Sequence, residues 1–192
     1  KLVVGPGANP ETDMPPVITP DAKARVIRMT DEAEAAGATI VVDGRGLVVE
    51  GHENGNFVGP TVITDLAADH PTYTEEVFGP VLVVMHVNNF DEAVELVNSS
   101  PFGNGTAIFT DSGHYARRFE DEIQVGMIGI NVPIPTPVGY YSFGGWKDSL
   151  FGEHHAHGPE GVGFYTRQKA VTTRWPSQNE TVESSMSFPT HD

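Results

Sequence analysis

VLVVMHVNNFDEAVELVNSSPFGNGTAIFTDSGHYARRFEDEIQVGMIGIN, residues 81–131, alternates apolar runs with amphipathic stretches and decides the fold class. Val81 to Val87 is nearly all apolar, the pattern of a strand covered on both faces. Asn89 followed three residues later by Glu92 makes a capping box, opening a helix with Phe90, Ala93, Val94 and Val97 inward. Thr106 to Phe109 reads as the next strand. Asp111 or Ser112 then caps a second helix that turns Tyr115, Ala116, Phe119 and Ile123 inward, and Val125 to Asn131 is a third strand. Strand, helix, strand, helix, strand at this spacing implies right-handed parallel crossovers. The expected class is α/β, a parallel-type sheet with flanking helices.

Outward from this stretch the pattern is still legible. Leu2 to Val4 reads as a strand end running into a Gly/Pro-rich loop, Gly5 to Pro16. Thr19 before Pro20 is a helix start: a capping hydroxyl, then a proline whose missing N–H costs nothing at the first helical position. Val26, Ile27, Met29, Ala33 and Ala36 make one apolar face, and Gly37 ends the helix. Thr39 to Val42, Leu47 to Glu50 and Thr61 to Thr64 are expected to be extended. Beyond Asn131, Pro133, Pro135 and Pro137 alternate with Ile, Thr and Val, which favours an extended loop over a helix. A glycine-rich irregular region follows, then a short helix within Glu160 to Gln168 and a strand of alternating side chains from Ala170 to Trp175. The tail from Pro176 is polar, the composition of a segment ordered only by a partner.

Composition narrows the function. The 192 residues hold 26 acidic and 11 Lys or Arg side chains, a formal charge of −15 that repels phosphate backbones and anionic lipid. Nucleic-acid and membrane-surface binding are thereby disfavoured. There is no cysteine, which excludes disulfides, thiolate metal sites and thiol catalysis within these residues. No apolar stretch approaches the roughly 20 residues needed to span a bilayer, and the first residues do not resemble a signal peptide. A cytoplasmic or organelle-matrix protein is expected.

One short string carries chemistry. In Glu75-Glu76-Val77-Phe78-Gly79-Pro80 a carboxylate stands two residues from an aromatic ring, ahead of a Gly-Pro turn. A nicotinamide cofactor needs hydrogen-bond acceptors for its ribose hydroxyls and a flat apolar surface for its ring, and this pair can supply both. Taken by themselves, the same residues read rather as a surface Glu and a core Phe flanking a strand entrance.

EEVFGP does not stand alone. GNFVGPTVI at 55–63, VNSSPFGNGTAIFT at 97–110, VGMIGINVPIPTP at 125–137, SFGGWKDSLFGE at 142–153 and GVGFYTRQKAVTTRW at 161–175 occur with it in order. In this set the chain resembles the aldehyde dehydrogenase superfamily, most of all the C-terminal part of its methylmalonate-semialdehyde, acylating branch. The resemblance implies a portion of a catalytic domain over 1–158, a terminal helix and oligomerisation strand over 159–176, and a polar tail over 177–192. It implies NAD as cofactor, coenzyme A as co-substrate, a malonate-type semialdehyde as substrate, and a homo-oligomer. By the same resemblance Glu76 contacts the nicotinamide ribose and Phe78 lies near the ring. Phe143 either walls the substrate pocket or packs in the core, and Asn131 with the 132–137 loop shapes the same pocket. Members of the superfamily attack the aldehyde with a cysteine thiolate, pass hydride to NAD and, in this branch, release the acyl group to coenzyme A with loss of carbon dioxide. The nucleophile, the general base and the dinucleotide-binding domain fall upstream of the matched region, so no catalytic residue is expected here and the chain is expected to be inactive alone.

Two other readings remain. The chain is also compatible with a non-catalytic subunit or interaction module of the same fold. His154, His155 and His157 also invite a metal, but three imidazoles within four residues of a loop do not converge without partners elsewhere. No GxSxG elbow occurs, and Gly5-Pro6-Gly7 lacks the strand and helix that a dinucleotide-binding glycine loop requires.

Overall fold

The computed structural model describes residues 2–175; the tail from Pro176, expected to be polar and weakly ordered, lies outside the described residues. In chain order the elements are α1 (Pro20–Ala35), β1 (Thr39–Val42), β2 (Thr61–Thr64), α2 (Pro71–Thr74), β3 (Val81–Val84), α3 (Phe90–Ser99), β4 (Phe102–Gly103), β5 (Gly105–Ile108), α4 (Gly113–Glu122), β6 (Met127–Ile130), β7 (Trp146–Lys147), a single 3₁₀ turn (Gly158–Glu160) and α5 (Gly161–Tyr165). The class is α/β with mixed pairing. β1 runs antiparallel to β2 and β2 parallel to β3, while β5 pairs parallel with β6 and β4 antiparallel with β7.

The helix signals translate directly. Thr19 Oγ1 accepts from the Ala22 N–H at 3.1 Å, Pro20 opens α1, and Gly37 leaves it at φ 97°, where a side chain would be strained. Asn89 Oδ1 accepts from the Glu92 N–H at 2.9 Å, and the Glu92 carboxylate reaches back to the Asn88 N–H at 2.8 Å, one residue before the usual capping-box partner. Of the two candidates for the next cap, Ser112 is the one that serves, accepting from the Tyr115 N–H at 3.4 Å.

Two cores result. Ala33, Ala38, Ile63 and Leu66 join α1 to the three-stranded sheet, with Ile40, Tyr73, Val81 and Val83 packed around them. Val94, Phe119, Ile123 and Val125 join α3 and α4 to the β5–β6 pair, with Phe90, Val97, Ile108 and Ile128 at their edge. The expected inward face of α1 needs one correction. Ala36 is exposed, and Thr30 is fully buried in its stead, its hydroxyl donating to the Val26 carbonyl at 2.9 Å so that no polar group is stranded.

The strands depart most from expectation. The 81–87 run forms a ladder only over Val81–Val84, because its partner β2 ends at Thr64 and Asp65 turns away at φ 58°. Nor is it covered on both faces: Leu82 is 59% exposed. β3 and β5, the two ends of the α3 crossover, are not neighbours, so the expected single parallel sheet is divided among separate pairings. Leu47 to Glu50 has no strand partner among the described residues and is irregular. Ala170 to Trp175 likewise forms no ladder, since a lone alternating segment has no backbone groups to pair with, and Trp175 is 90% exposed. The short helix expected within 160–168 is confined to the Gly158–Glu160 turn and Gly161–Tyr165.

Candidate functional site

The EEVFGP string leaves α2 and enters β3, and α1 determines its shape. α2 is one turn long: His70 Nδ1 accepts from the Thr72 N–H at 3.1 Å, Pro71 occupies the first helical position, and the Glu75 N–H closes the turn on the Pro71 carbonyl at 2.8 Å. Buried Thr72 donates its hydroxyl to the Met29 carbonyl at 2.9 Å, tying α2 to α1. Four and five residues further on, the carbonyls of Glu76 and Val77 each accept from the Arg25 guanidinium at 2.5 Å. Phe78 then takes φ 53°, a left-handed conformation rare for a bulky residue, and leaves its ring 77% exposed. Gly79 lies so close to α1 that a Cβ there would stand 2.3 Å from Val26 Cγ2. Pro80 hands the chain to the sheet, its carbonyl accepting from the Thr61 N–H at 2.8 Å.

Glu76 stands between two open clefts. One, of about 510 Å³, is lined by Tyr73, Thr74, Glu75, Glu76, Phe102, Asn104, Asp148 and Ser149. The other, also about 510 Å³, is walled by Thr72, Val77, Phe78, Gly79, Val81 and Val83 together with Glu76. A carboxylate at a cleft edge, able to accept from hydroxyls, with an apolar wall and an exposed ring two residues away, is chemically compatible with the ribose and ring of a nicotinamide nucleotide. The local electrostatics add little to this: burial alone raises the Tyr73 hydroxyl above its ordinary pKa.

The other two expected site residues lie elsewhere. Asn131 ends β6 at φ 57°, and both ends of its amide are engaged by one residue: Oδ1 accepts from the Thr110 N–H at 2.9 Å and Nδ2 donates to the Thr110 carbonyl at 3.0 Å. Phe143 is half-buried and stacks on His157, ring centroids 4.7 Å apart and planes 6° from parallel. Neither contributes to the two clefts beside Glu76. His155 packs under Gly144, whose Cβ would meet its ring at 2.6 Å, and faces Glu160 with Nδ1 3.8 Å from the carboxylate. With His157 on Phe143 and His154 beside Gly163, the three imidazoles point to different neighbours, and no metal-holding group of three forms among the described residues.

Arg25 was not singled out from sequence, although a signal existed. It stands one helical turn before buried Met29, on the stripe where α1 is otherwise apolar, and a basic residue there must send its head group toward a polar partner.

A turn-borne carboxylate and an exposed ring thus stand at a cleft edge on an α/β scaffold. The aldehyde dehydrogenase family matches residues 1–171, and the chain belongs to that family. The malonate-semialdehyde dehydrogenase of Pseudomonas aeruginosa is 52% identical over 188 residues, covering 98% of this chain and 38% of that protein. The acylating, mitochondrial methylmalonate-semialdehyde/malonate-semialdehyde dehydrogenase of Bos taurus is 45% identical over 184 residues, 96% of this chain and 34% of that one. A solved structure from Sinorhizobium meliloti 1021, assigned as a methylmalonate-semialdehyde dehydrogenase and complexed with NAD, superposes with a TM-score of 0.86 at 44% identity, over 93% of this chain and 36% of that chain. The chain thus spans between a third and two-fifths of the length of these curated relatives.

Proposed function

We propose that these residues are the C-terminal portion of an NAD- and coenzyme A-dependent methylmalonate- or malonate-semialdehyde dehydrogenase, which oxidises the aldehyde to an acyl-CoA with decarboxylation. The observation that carries this reading is the clamped 75–80 turn, which sets the Glu76 carboxylate at a cleft edge and Phe78 beside it. Glu76 accepts hydrogen bonds from the nicotinamide ribose hydroxyls, which fixes the ring's distance from the aldehyde. Phe78 offers its exposed face to the ring and limits water beside it. NAD, when bound, supplies the acceptor for the aldehyde hydride. Phe143, stacked on His157, walls the acyl side, and Asn131 sets the path of the 132–137 loop through its bonds to Thr110. The thiolate that attacks the aldehyde comes from outside these residues, since they contain no cysteine.

The dependence on coenzyme A and the preference for a malonate-type semialdehyde are supported by the Pro-rich loop at 132–137, the SFGGWKDSLFGE string and the acylating relative. The terminal segment over 159–176 is proposed to pair with another subunit, which would supply the ladder that Ala170 to Trp175 lacks by itself. No helix among the described residues is long and apolar enough to cross a membrane. A cytoplasmic or organelle-matrix setting is proposed from the mitochondrial relative.

The purified 192-residue chain, given NAD, coenzyme A and malonate semialdehyde, is expected to form no NADH. Steady turnover by this chain would overturn the proposal that its chemistry needs a cysteine from elsewhere. In the complete enzyme, Glu76→Ala is expected to raise the KM for NAD, and an unchanged KM would remove Glu76 from the cofactor grip.

A further inference from the structure

Arg25 has an unusual set of partners. It is half-buried on α1, more than fifty positions from the turn in sequence, and it spends its two terminal nitrogens on consecutive main-chain carbonyls. Among the described residues it forms no ion pair, whereas Arg28 on the same helix pairs with Glu32, and Arg45 gathers Asp31, Glu34 and Asp43. A partly desolvated guanidinium that takes carbonyls instead of carboxylates is organising backbone. Its planar fork holds two acceptors in one fixed geometry, which a flexible ammonium cannot do.

The two carbonyls it holds are those of Glu76 itself and of Val77, the peptide immediately before Phe78. Phe78 carries φ 53°, a conformation that is strained for a bulky side chain and that persists only where the surroundings over-determine it. The surroundings here are few. Gly79 against Val26 fixes one side of the turn, Thr72 bonded to Met29 fixes the other, and among the described residues Arg25 alone bonds the peptides between them.

We propose that Arg25 is a positioning residue for the cofactor grip: by clamping the Glu76 and Val77 carbonyls it sets where the Glu76 carboxylate and the Phe78 ring stand before NAD arrives. This rests on the reading of Glu76 and Phe78 as cofactor contacts. Arg25 acts through the backbone and makes no contact with the cofactor. Without it, Phe78 relaxes toward negative φ and the carboxylate swings from the cleft edge. NAD must then restore the turn at the expense of its own affinity.

The test is made in the complete dehydrogenase, with the KM for NAD, kcat and melting temperature measured for Arg25→Met, Arg25→Lys, Glu76→Ala and the Arg25→Met/Glu76→Ala double variant. Because NAD must restore the turn on binding, the KM for NAD is expected to rise about tenfold in Arg25→Met, with kcat at saturating NAD changed less than about twofold. Arg25→Lys, which keeps the charge and loses the fork, should fall between wild type and Arg25→Met. In the Glu76→Ala background the further effect of Arg25→Met should shrink well below its effect in wild type, because of the two groups it positions only Phe78 remains.

Three results would overturn the proposal. The first is an unchanged KM in Arg25→Met beside a raised KM in Glu76→Ala, which spares the cofactor reading and removes Arg25 from it. The second is a full Arg25→Met effect persisting without Glu76, the mark of a role in general stability. The third is an unchanged KM in Glu76→Ala, which removes the cofactor reading itself. Should Arg25→Met not fold, Arg25→Lys alone and combined with Glu76→Ala decides the matter by the same comparison.

Discussion

The 75–80 turn and the 131–157 segment are both proposed to face the reaction, yet the first is pinned along its whole length and the second only at separate points. The turn is fixed from outside itself, by a helix some fifty residues away in sequence. Arg25 takes two of its carbonyls, Val26 meets Gly79, and Met29 receives the Thr72 hydroxyl of the preceding helical turn. The 131–157 segment is held at separate points: the Asn131 amide on Thr110, Phe143 on His157, and Lys147 donating to the distant Asn98 and Ser100 carbonyls, with the 132–141 stretch between the first two left free of such ties among the described residues. Between Asn131 and Ser142 the chain is irregular and largely exposed, with Ile134, Val138, Tyr140 and Tyr141 facing solvent. The proposed cofactor grip is therefore built by this chain alone, whereas the proposed substrate wall awaits cover.

The same substitution placed in the two regions gives the largest contrast. Gly79→Ala puts a methyl 2.3 Å from Val26 Cγ2 and is expected to destabilise by about 1–3 kcal/mol, read as a lower denaturation midpoint. Gly139→Ala, with nothing within 4 Å, should change stability by less than about 0.5 kcal/mol. Equal effects would erase the distinction between a pinned turn and an open loop.

A second contrast concerns a left-handed residue that the 131–157 segment manages locally. Asn131→Ala removes two bonds to Thr110 while φ stays at 57°, and should cost about 1–2 kcal/mol. Asn131→Gly keeps the conformation free of strain and should be milder by about 0.5–1 kcal/mol. If the two variants melt together, the strain at this position is not felt.

Thr72→Val removes the hydroxyl that ties α2 to the Met29 carbonyl and keeps the shape. Its expected cost is about 1 kcal/mol, with the loss appearing in exchange protection near α2 and not near 132–141.

The smallest effect is acid-dependent and belongs to the α1 side. The Arg45 guanidinium, hydrogen-bonded to Asp43, lowers that carboxyl from its ordinary 3.8 to about 2, and the same guanidinium reaches Asp31 and Glu34 on α1. A depressed carboxylate stabilises the fold above the ordinary value, and that contribution is lost as pH falls through about 2. Because the three carboxylates are about half exposed to solvent, the effect on stability is small. NMR titration should place Asp43 well below Asp43 in an Arg45→Met variant, where it returns toward the ordinary value. Coincident titrations would dismiss the network.

What was legible in sequence follows how locally each feature is specified. The start of α1 is written within four residues by Thr19, Pro20 and Ala22, its end by Gly37, and α3 by Asn89 and Glu92. These are interactions along the chain, and each was placed correctly. Strand extents depend on the partner: nothing in Met85-His86-Val87 announces that β2 stops at Thr64, so the ladder is shorter than the apolar run. Ala170 to Trp175 alternates like a strand but has no partner among the described residues. The candidate site shows the same division. Glu76 and Phe78 could be singled out because their roles are carried by adjacent residues in a family string. Arg25 could not, because its two bonds span 51 and 52 positions and one helix face is the only hint. For Asn131 the amide bonds to Thr110 reveal a structural duty that no spacing of residue types would announce.

Limited chymotrypsin digestion of the 192-residue chain, followed by mass spectrometry, tests the difference between the two regions most directly. Phe78 is 77% exposed, Tyr140 70% and Tyr141 57%, so accessibility alone ranks Phe78 as an equal or better target. Cleavage requires several residues around the bond to open, and the turn is pinned on both sides while the loop is not. The account predicts early cuts at Tyr140 and Tyr141 with the Phe78–Gly79 bond left intact, and loss of that protection in Arg25→Met. Cleavage after Phe78 as fast as after Tyr140 in the wild-type chain would contradict it.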